Sequence, residues 1–93
     1  EHRLHAAYPN PFNPVLNIPF DIGKTSSVNL MIFDTNGRLI ETLIKDQTMI
    51  PGLHNIKWFA GSHASGVYFY MARVISPKGD LLISDTHKMI LVK

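Results

Sequence analysis

The chain has 93 residues, the size of one domain, and leaves no room for a second. Nine basic and seven acidic residues give a net charge of +2, and the Lys and Arg residues are scattered, so the charge does not predict nucleic-acid binding. No cysteine is present, so stability must come from packing without disulfides, and no stretch has the pattern of a signal peptide or a membrane-spanning helix.

A polar segment followed by a proline-rich one opens the sequence. Residues 1–7 show no alternating pattern, and the first residue is not methionine, so we expect a frayed linker from an upstream part of a longer chain. Residues 8–14 read YPNPFNP, and prolines at this density hold the backbone extended and forbid a helix. The sequence therefore predicts a linker over residues 1–7 and a domain over residues 8–93.

Alternating segments predict the first strands of that domain. Residues 16–22 alternate apolar with polar side chains, as in a strand with one buried face, and Pro19 within them predicts a sheet edge. Residues 28–34 and 39–44 are joined through Asn36 and Gly37, which predicts a two-residue hairpin turn because both residue types accept positive φ. Pro51 and Gly52 then fit a type II turn.

The second half of the chain continues the pattern. Residues 54–58 alternate with Trp58 inward, and the small, polar residues 60–66 form a loop. In residues 67–75, Tyr68 and Tyr70 share the inward phase, and after a turn at 76–80 we expect a long strand over 81–92 with a bulge near Ser84 and Asp85. Six or seven short strands and no helical stretch predict an all-β sandwich.

Several turn and signature positions occur in a fixed order from the YPNPFNP segment to the end of the chain. They are Pro9, Asn10, Pro11, Asp34, Gly37, Gly52, Gly66 and Tyr68. Together with the final strand, their order and spacing resemble the type A C-terminal sorting domain of the type IX secretion system, which is similar to the Ig-like domain of flagellar hook-capping proteins. The resemblance implies an Ig-like β-sandwich of about seven mostly antiparallel strands.

The resemblance also implies a function, that of a folded address carried by an exported passenger. An outer-membrane translocon would read the domain, and a cell-surface peptidase would remove it at the linker. The passenger would cross the periplasm and end on the outer-membrane surface or outside the cell. The domain itself would be no enzyme and would hold no cofactor. The alternative is an Ig-like structural or carbohydrate-contacting accessory module of a surface enzyme.

The final strand is the first candidate site. A terminal strand near a sheet edge can offer unpaired backbone groups to another protein, and two lysines frame its apolar run. This hypothesis assigns translocon recognition to Lys88, Met89, Ile90, Leu91, Val92 and Lys93. The alternative is that the strand belongs to the core and the lysines are merely solvated.

A second candidate site follows from the outward phase of two predicted strands. Met31 and Met71 stand where the family usually has Lys or Arg. If residues 28–34 and 67–75 lie in one sheet, Met31, Phe33, Phe69 and Met71 form an exposed apolar patch. Such a patch would contact the passenger or a second copy of the chain in weak self-association. Cover by loops or linker residues is the alternative.

Other chemistries receive less support from the sequence. The five histidines are scattered and have no cysteine partner, so no metal site is predicted. Serines stand near His63, but no orienting carboxylate or oxyanion hole is evident, so no catalytic residue is predicted. Aromatic rings could stack on sugars, yet Trp58 has the core phase, which leaves Phe59 and Phe69 as exposed platforms.

Overall fold

Seven β-strands in two antiparallel sheets make up the domain in a computed structural model that describes all 93 residues. A three-stranded sheet has the order β1-β2-β5 and a four-stranded sheet the order β4-β3-β6-β7. No helix is present that is long and apolar enough to cross a membrane. The predicted all-β sandwich is confirmed. The strands are β1 (Arg3–Leu4), β2 (Val15–Ile22), β3 (Ser26–Phe33), β4 (Leu39–Met49), β5 (Gly52–Phe59), β6 (Gly66–Ile75) and β7 (Leu81–Leu91).

Alternation along the strands places one face of each sheet in a shared core. β2 and β3 bury every second residue along their whole length, and in β6 Tyr68 and Tyr70 are buried as predicted. Trp58 of β5 is completely buried. A single cluster of 19 buried apolar side chains fills the space between the sheets, so hydrophobic burial is the main stabilising term in this cysteine-free chain.

Pro19 does not mark a sheet edge, and that prediction is wrong because β2 is the central strand of its sheet. Asn55 lies opposite Pro19 on β5, while the Pro19 carbonyl accepts a hydrogen bond from the His5 N–H at 3.0 Å on the other side. The N and O of one strand residue point the same way, so the missing N–H faces the N-terminal segment. The ladder with β5 therefore loses no hydrogen bond.

Residues 1–7 are ordered against the core, so the expectation of a frayed segment is wrong. Arg3–Leu4 pairs with β2, and Leu4 is only 6% exposed. The Tyr70 hydroxyl accepts a hydrogen bond from the Ala7 N–H at 2.8 Å and donates one to the His5 carbonyl at 3.1 Å. Burial raises the pKa of the Tyr70 phenol, which keeps this donor protonated. The boundary between linker and domain at residue 8 stays a prediction.

The predicted hairpin between β3 and β4 is present, but its turn differs. The Gly37 N–H donates to the Asp34 carbonyl at 3.0 Å, and Gly37 has a φ of 80°. Asn36 does not share the positive φ, so the two-residue turn is wrong and the connection is a three-residue loop closed by Gly37. The Asn-Gly pair indicated the hairpin correctly because glycine still supplies its left-handed residue.

The bulge predicted near Ser84 and Asp85 is also misplaced. Both residues pair in regular register with β6, opposite Arg73 and Ala72. The register shifts two residues earlier, where Leu82 has no partner between Leu81 and Ile83. A bulge adds twist next to the 76–80 turn and leaves the rest of β7 regular.

Replacing Tyr70 with Phe tests how firmly the core holds the N-terminal segment. The change leaves the buried Ala7 N–H without its partner, so we expect the free energy of unfolding to fall by about 1–2 kcal/mol. Urea denaturation of the two proteins measures this difference. Tyr8→Phe is the matched control, because the Tyr8 side chain is exposed and the change should stay within about 0.5 kcal/mol. Equal losses in both variants would contradict the assignment.

Candidate recognition surfaces

The proline-rich segment lies along the outer edge of β7. The Asn10 side chain donates to the Lys88 carbonyl at 3.2 Å and accepts from the Ile90 N–H at 3.0 Å. The Phe12 N–H donates to the Ile90 carbonyl at 2.9 Å, and the Phe12 carbonyl accepts from the Val92 N–H at 3.0 Å. The backbone expected to be free at the end of β7 is therefore bonded to residues 10–12 of the same chain.

The side chains at the end of β7 alternate between core and surface. Met89 and Leu91 are almost completely buried. Lys88 is exposed, Ile90 is half-buried and Val92 is 50% exposed. The inward residues of this strand thus belong to the core, and the outward ones are available to a partner. The recognition role of residues 88–93 stays a prediction, and only the outward residues can contact a partner directly.

Lys93 is tied to the loop at residues 60–66. Its ammonium donates to the carbonyls of Gly61 at 2.7 Å and His63 at 2.9 Å, and its N–H donates to the Ser65 hydroxyl at 3.0 Å. These bonds hold the loop against the end of β7. Lys93 therefore contributes less free positive charge to a partner than Lys88 does.

The predicted apolar patch lies on two neighbouring strands. Met31 is paired directly with Met71, and Phe33 with Phe69, across β3 and β6. All four side chains are half-buried. The condition that both segments lie in one sheet is thus met, while binding by the patch stays a prediction. Beside it, Phe33, Phe69 and Met71 line a shallow depression together with the Asp34–Gly37 turn and Thr86.

Asp34 organises the turn that borders this patch. One carboxylate oxygen accepts from the N–H groups of Asn36 at 2.9 Å and Arg38 at 3.0 Å, and the other accepts from the Arg38 guanidinium at 3.1 Å. The hydrogen bond from the Arg38 N–H, with these other bonds, lowers the pKa of Asp34. The carboxylate is therefore committed to its own loop.

The remaining signature positions also hold the fold together. Gly52 and Gly66 have positive φ values of 132° and 154° at strand starts. The Tyr68 hydroxyl donates to the Ala64 carbonyl at 2.6 Å, and Pro9 and Pro11 flank the Asn10 side chain that binds β7. Their role as family signature residues stays a prediction: the two glycines lie at strand starts, Tyr68 is bonded to the 60–66 loop, and the two prolines border the contact with β7.

Trp58 is the centre of an aromatic cluster that the sequence pattern only partly indicated. Its ring centroid lies 5.6 Å from Phe12 and 5.5 Å from Tyr68. Its indole N–H donates to the Glu41 carboxylate at 2.9 Å, and His63 lies 3.4 Å from the same oxygen. The sequence analysis did not single out Glu41, because its contact with Trp58 joins strands of the two different sheets.

The histidines lie apart from one another, and the predicted exposed rings of Phe59 and Phe69 do not form one aromatic surface. Histidines 5, 63 and 87 each face one carboxylate, from Asp21, Glu41 and Asp85 respectively. No group of three His, Cys, Asp or Glu residues lies close enough to hold a metal ion. Phe59 is 68% exposed, on the sheet opposite to that of Phe69, so the two rings do not form one platform.

The domain is thus a closed β-sandwich whose recognition candidates lie on one strand and one sheet face. Residues 6–76 match the model of the secretion system C-terminal sorting domain, so the chain belongs to that family. The predicted resemblance to type IX secretion sorting domains is confirmed. This family is generally non-catalytic.

Two solved structures share the fold. Dimeric latent PorU from Porphyromonas gingivalis is 24% identical with a TM-score of 0.74, over 98% of this chain and 9% of that chain. CopC from Methylosinus trichosporium OB3b is 19% identical with a TM-score of 0.61, over 98% of this chain and 93% of that chain. The chain thus spans less than a tenth of the PorU chain, and both likenesses show the fold alone. No curated protein matches the sequence.

Replacing Asn10 with Ala tests the contact between the proline-rich segment and β7. Loss of both side-chain hydrogen bonds should lower the free energy of unfolding by about 1 kcal/mol. Hydrogen exchange should accelerate at the amides of Ile90 and Val92 and remain slow at Met89, whose amide points toward β6. Asn13→Ala is the matched control, since no side-chain hydrogen bond holds Asn13. Unchanged exchange at Ile90 in the Asn10 variant would refute the contact.

Proposed function

We propose that this domain is the folded C-terminal address of a passenger protein joined upstream of Glu1. In this proposal, type IX secretion machinery reads the domain and delivers the passenger to the cell surface or the medium. The observation that supports it is the match of residues 6–76 to the sorting-domain family. The closed sandwich adds physical support, because a small domain that folds on its own can act as a separable tag on different passengers.

The proposal includes removal of the domain by a processing peptidase at the cell surface. A peptidase needs several residues of accessible extended chain, which residues in strands and hydrogen-bonded contacts do not provide. Arg3–Leu4 forms β1, and the Ala7 N–H is bonded to Tyr70 in the core. The His2 ring accepts a hydrogen bond from the Gly23 N–H, so processing upstream of Glu1 fits the fold better than a cut nearer to Tyr8.

The alternative of a carbohydrate-contacting module receives little support from the side chains. Sugar-binding platforms present flat aromatic rings to solvent. Trp58, Tyr68 and Tyr70 are buried and Phe69 is half-buried against its sheet neighbours. The exposed rings are those of Tyr8 and Phe59. The sorting function is therefore the one that the family match and the surface both favour.

A reporter export assay tests this function. A periplasm-directed fluorescent protein joined upstream of Glu1 should reach the cell surface or the medium in a bacterium with a type IX system. We expect at least a tenfold larger external fraction than for the same reporter without the domain. A strain lacking the secretion machinery should retain the fusion in the periplasm. Equal external fractions with and without the domain would disprove the proposal.

A further inference from the structure

The two surfaces predicted separately from the sequence lie on one continuous sheet face. Lys88 of β7 is the cross-strand partner of Phe69 on β6, and Phe69 is the partner of Phe33 on β3. Ile90 pairs with Val67 in the next row. Directly paired residues in an antiparallel sheet share a face. We call this surface the β3–β6–β7 face; its members are Met31, Phe33, Phe69, Met71, Lys88 and Ile90.

Two free positive charges lie on the outward side of these strands. Lys88 and Arg73 are exposed, and neither forms a salt bridge. Arg73 follows Met71 on the same side of β6, two residues along the strand. Of the acidic residues at the rim, Asp34 is already bonded to Arg38. Asp46 lies at the other end of the face, where its N–H donates to the side chain of Asn29, the partner of Arg73, so Lys88 is the charge directly beside the apolar centre. The face therefore combines an apolar centre with free positive charge and complements a surface with an apolar centre and an acidic rim.

The route of the chain argues against the passenger as the occupant of this face. The Gly23 N–H donates to the His2 ring at 3.2 Å, so the N-terminus lies at the β2–β3 connection. β3 begins at this end of the sandwich with Ser26 and ends with Phe33. At about 3.3 Å per residue, Phe33 lies roughly 20 Å from the point where the passenger joins. The passenger would have to fold back over the sandwich to cover the face.

A second copy is also a poor electrostatic match. Packing this face against the same face of another chain puts two copies of Lys88 and Arg73, four positive charges, into one interface. Like charges facing each other in an interface oppose association. A separate partner of opposite charge avoids this repulsion and can cover the apolar residues as well.

We propose that the β3–β6–β7 face is the docking surface for the secretion receptor, a protein with an apolar contact centre and an acidic rim. This inference rests on the proposed sorting function. It shifts the recognised feature from the backbone edge of β7, which residues 10–12 already cover, to side chains that three neighbouring strands present together. Of the terminal residues, Lys88 and Ile90 take part directly, while Met89 and Leu91 support them from the core.

Export of the reporter fusion with single substitutions tests the docking surface. Lys88→Glu reverses the exposed charge and Phe69→Ser removes the central ring, so each should lower the external fraction about tenfold. Lys57→Glu and Phe59→Ser are matched controls on the outer side of the other sheet, where both residues are exposed, and should leave export unchanged. Thermal melting of each purified domain checks folding, and Lys88→Glu, a substitution at an exposed site, should melt like the wild type.

The outcomes separate this inference from the function on which it rests. If the wild-type fusion stays inside the cell, the sorting function itself fails. If the wild type is exported and Lys88→Glu and Phe69→Ser are exported equally well, the function holds and the docking surface is wrong. Equal losses in the matched controls would also overturn it, because the effect would then not belong to this face.

Two solution measurements test whether a second copy of the chain or the passenger covers the β3–β6–β7 face instead. Sedimentation of the isolated domain should show a monomer; a dimer that Phe69→Ser dissociates would assign the face to a second copy and overturn the inference. Hydrogen exchange of β3, β6 and β7 should be the same in the isolated domain and in the passenger fusion. Added protection of these strands in the fusion would assign the face to the passenger and overturn it equally.

Discussion

Pairing between residues 10–12 and the end of β7 is the contact on which the closure of this domain depends. It joins Phe12 to Leu91, 79 positions apart in sequence, by backbone hydrogen bonds on both sides of Phe12. The same contact places the Phe12 ring against Trp58 in the core. We call residues 10–12 the strap. Without a disulfide, the strap and the C-terminal strand hold each other in place through this bridge and the packing beneath it.

This closure changes what the C-terminal strand can offer a partner. An open edge strand would present its backbone, and it would also invite aggregation. Here the strap occupies that edge, and Lys93 is bonded to the 60–66 loop, so the end of the chain is fixed on two sides. What remains available is the outward side-chain row that includes Lys88 and Ile90, which is continuous with the apolar residues of β6 and β3.

Local pattern was enough to predict the strands and their buried faces. The alternation in β2, β3 and β6 depends only on neighbouring residues, because successive side chains of a strand point to opposite sides. The inward phase of Trp58 followed for the same reason. The hairpin at Gly37 was predictable as well, since glycine accepts the left-handed conformation that the loop needs.

Features that depend on distant partners could not be predicted in the same way. Residues 3–7 have no alternating pattern that would indicate a strand, and they gain their order from β2 and from the Tyr70 hydroxyl. A central strand tolerates Pro19 because its missing N–H faces the N-terminal segment and not β5, and the sequence of β2 alone does not show this. The merging of the two candidate sites likewise depends on strand register, which the sequence of one strand does not contain.

The most direct test of the account is an export measurement with the strap locked onto β7. Because Phe12 is paired with Leu91 in parallel, the following residues Asn13 and Val92 are neighbours, and both are exposed. A disulfide between Asn13→Cys and Val92→Cys, in a chain that has no other cysteine, would keep the edge of β7 closed. We expect export of the oxidised double variant within about twofold of the two single-cysteine variants. Export that stops when the disulfide is closed and returns on its reduction would show that the β7 edge must open, and would contradict the account.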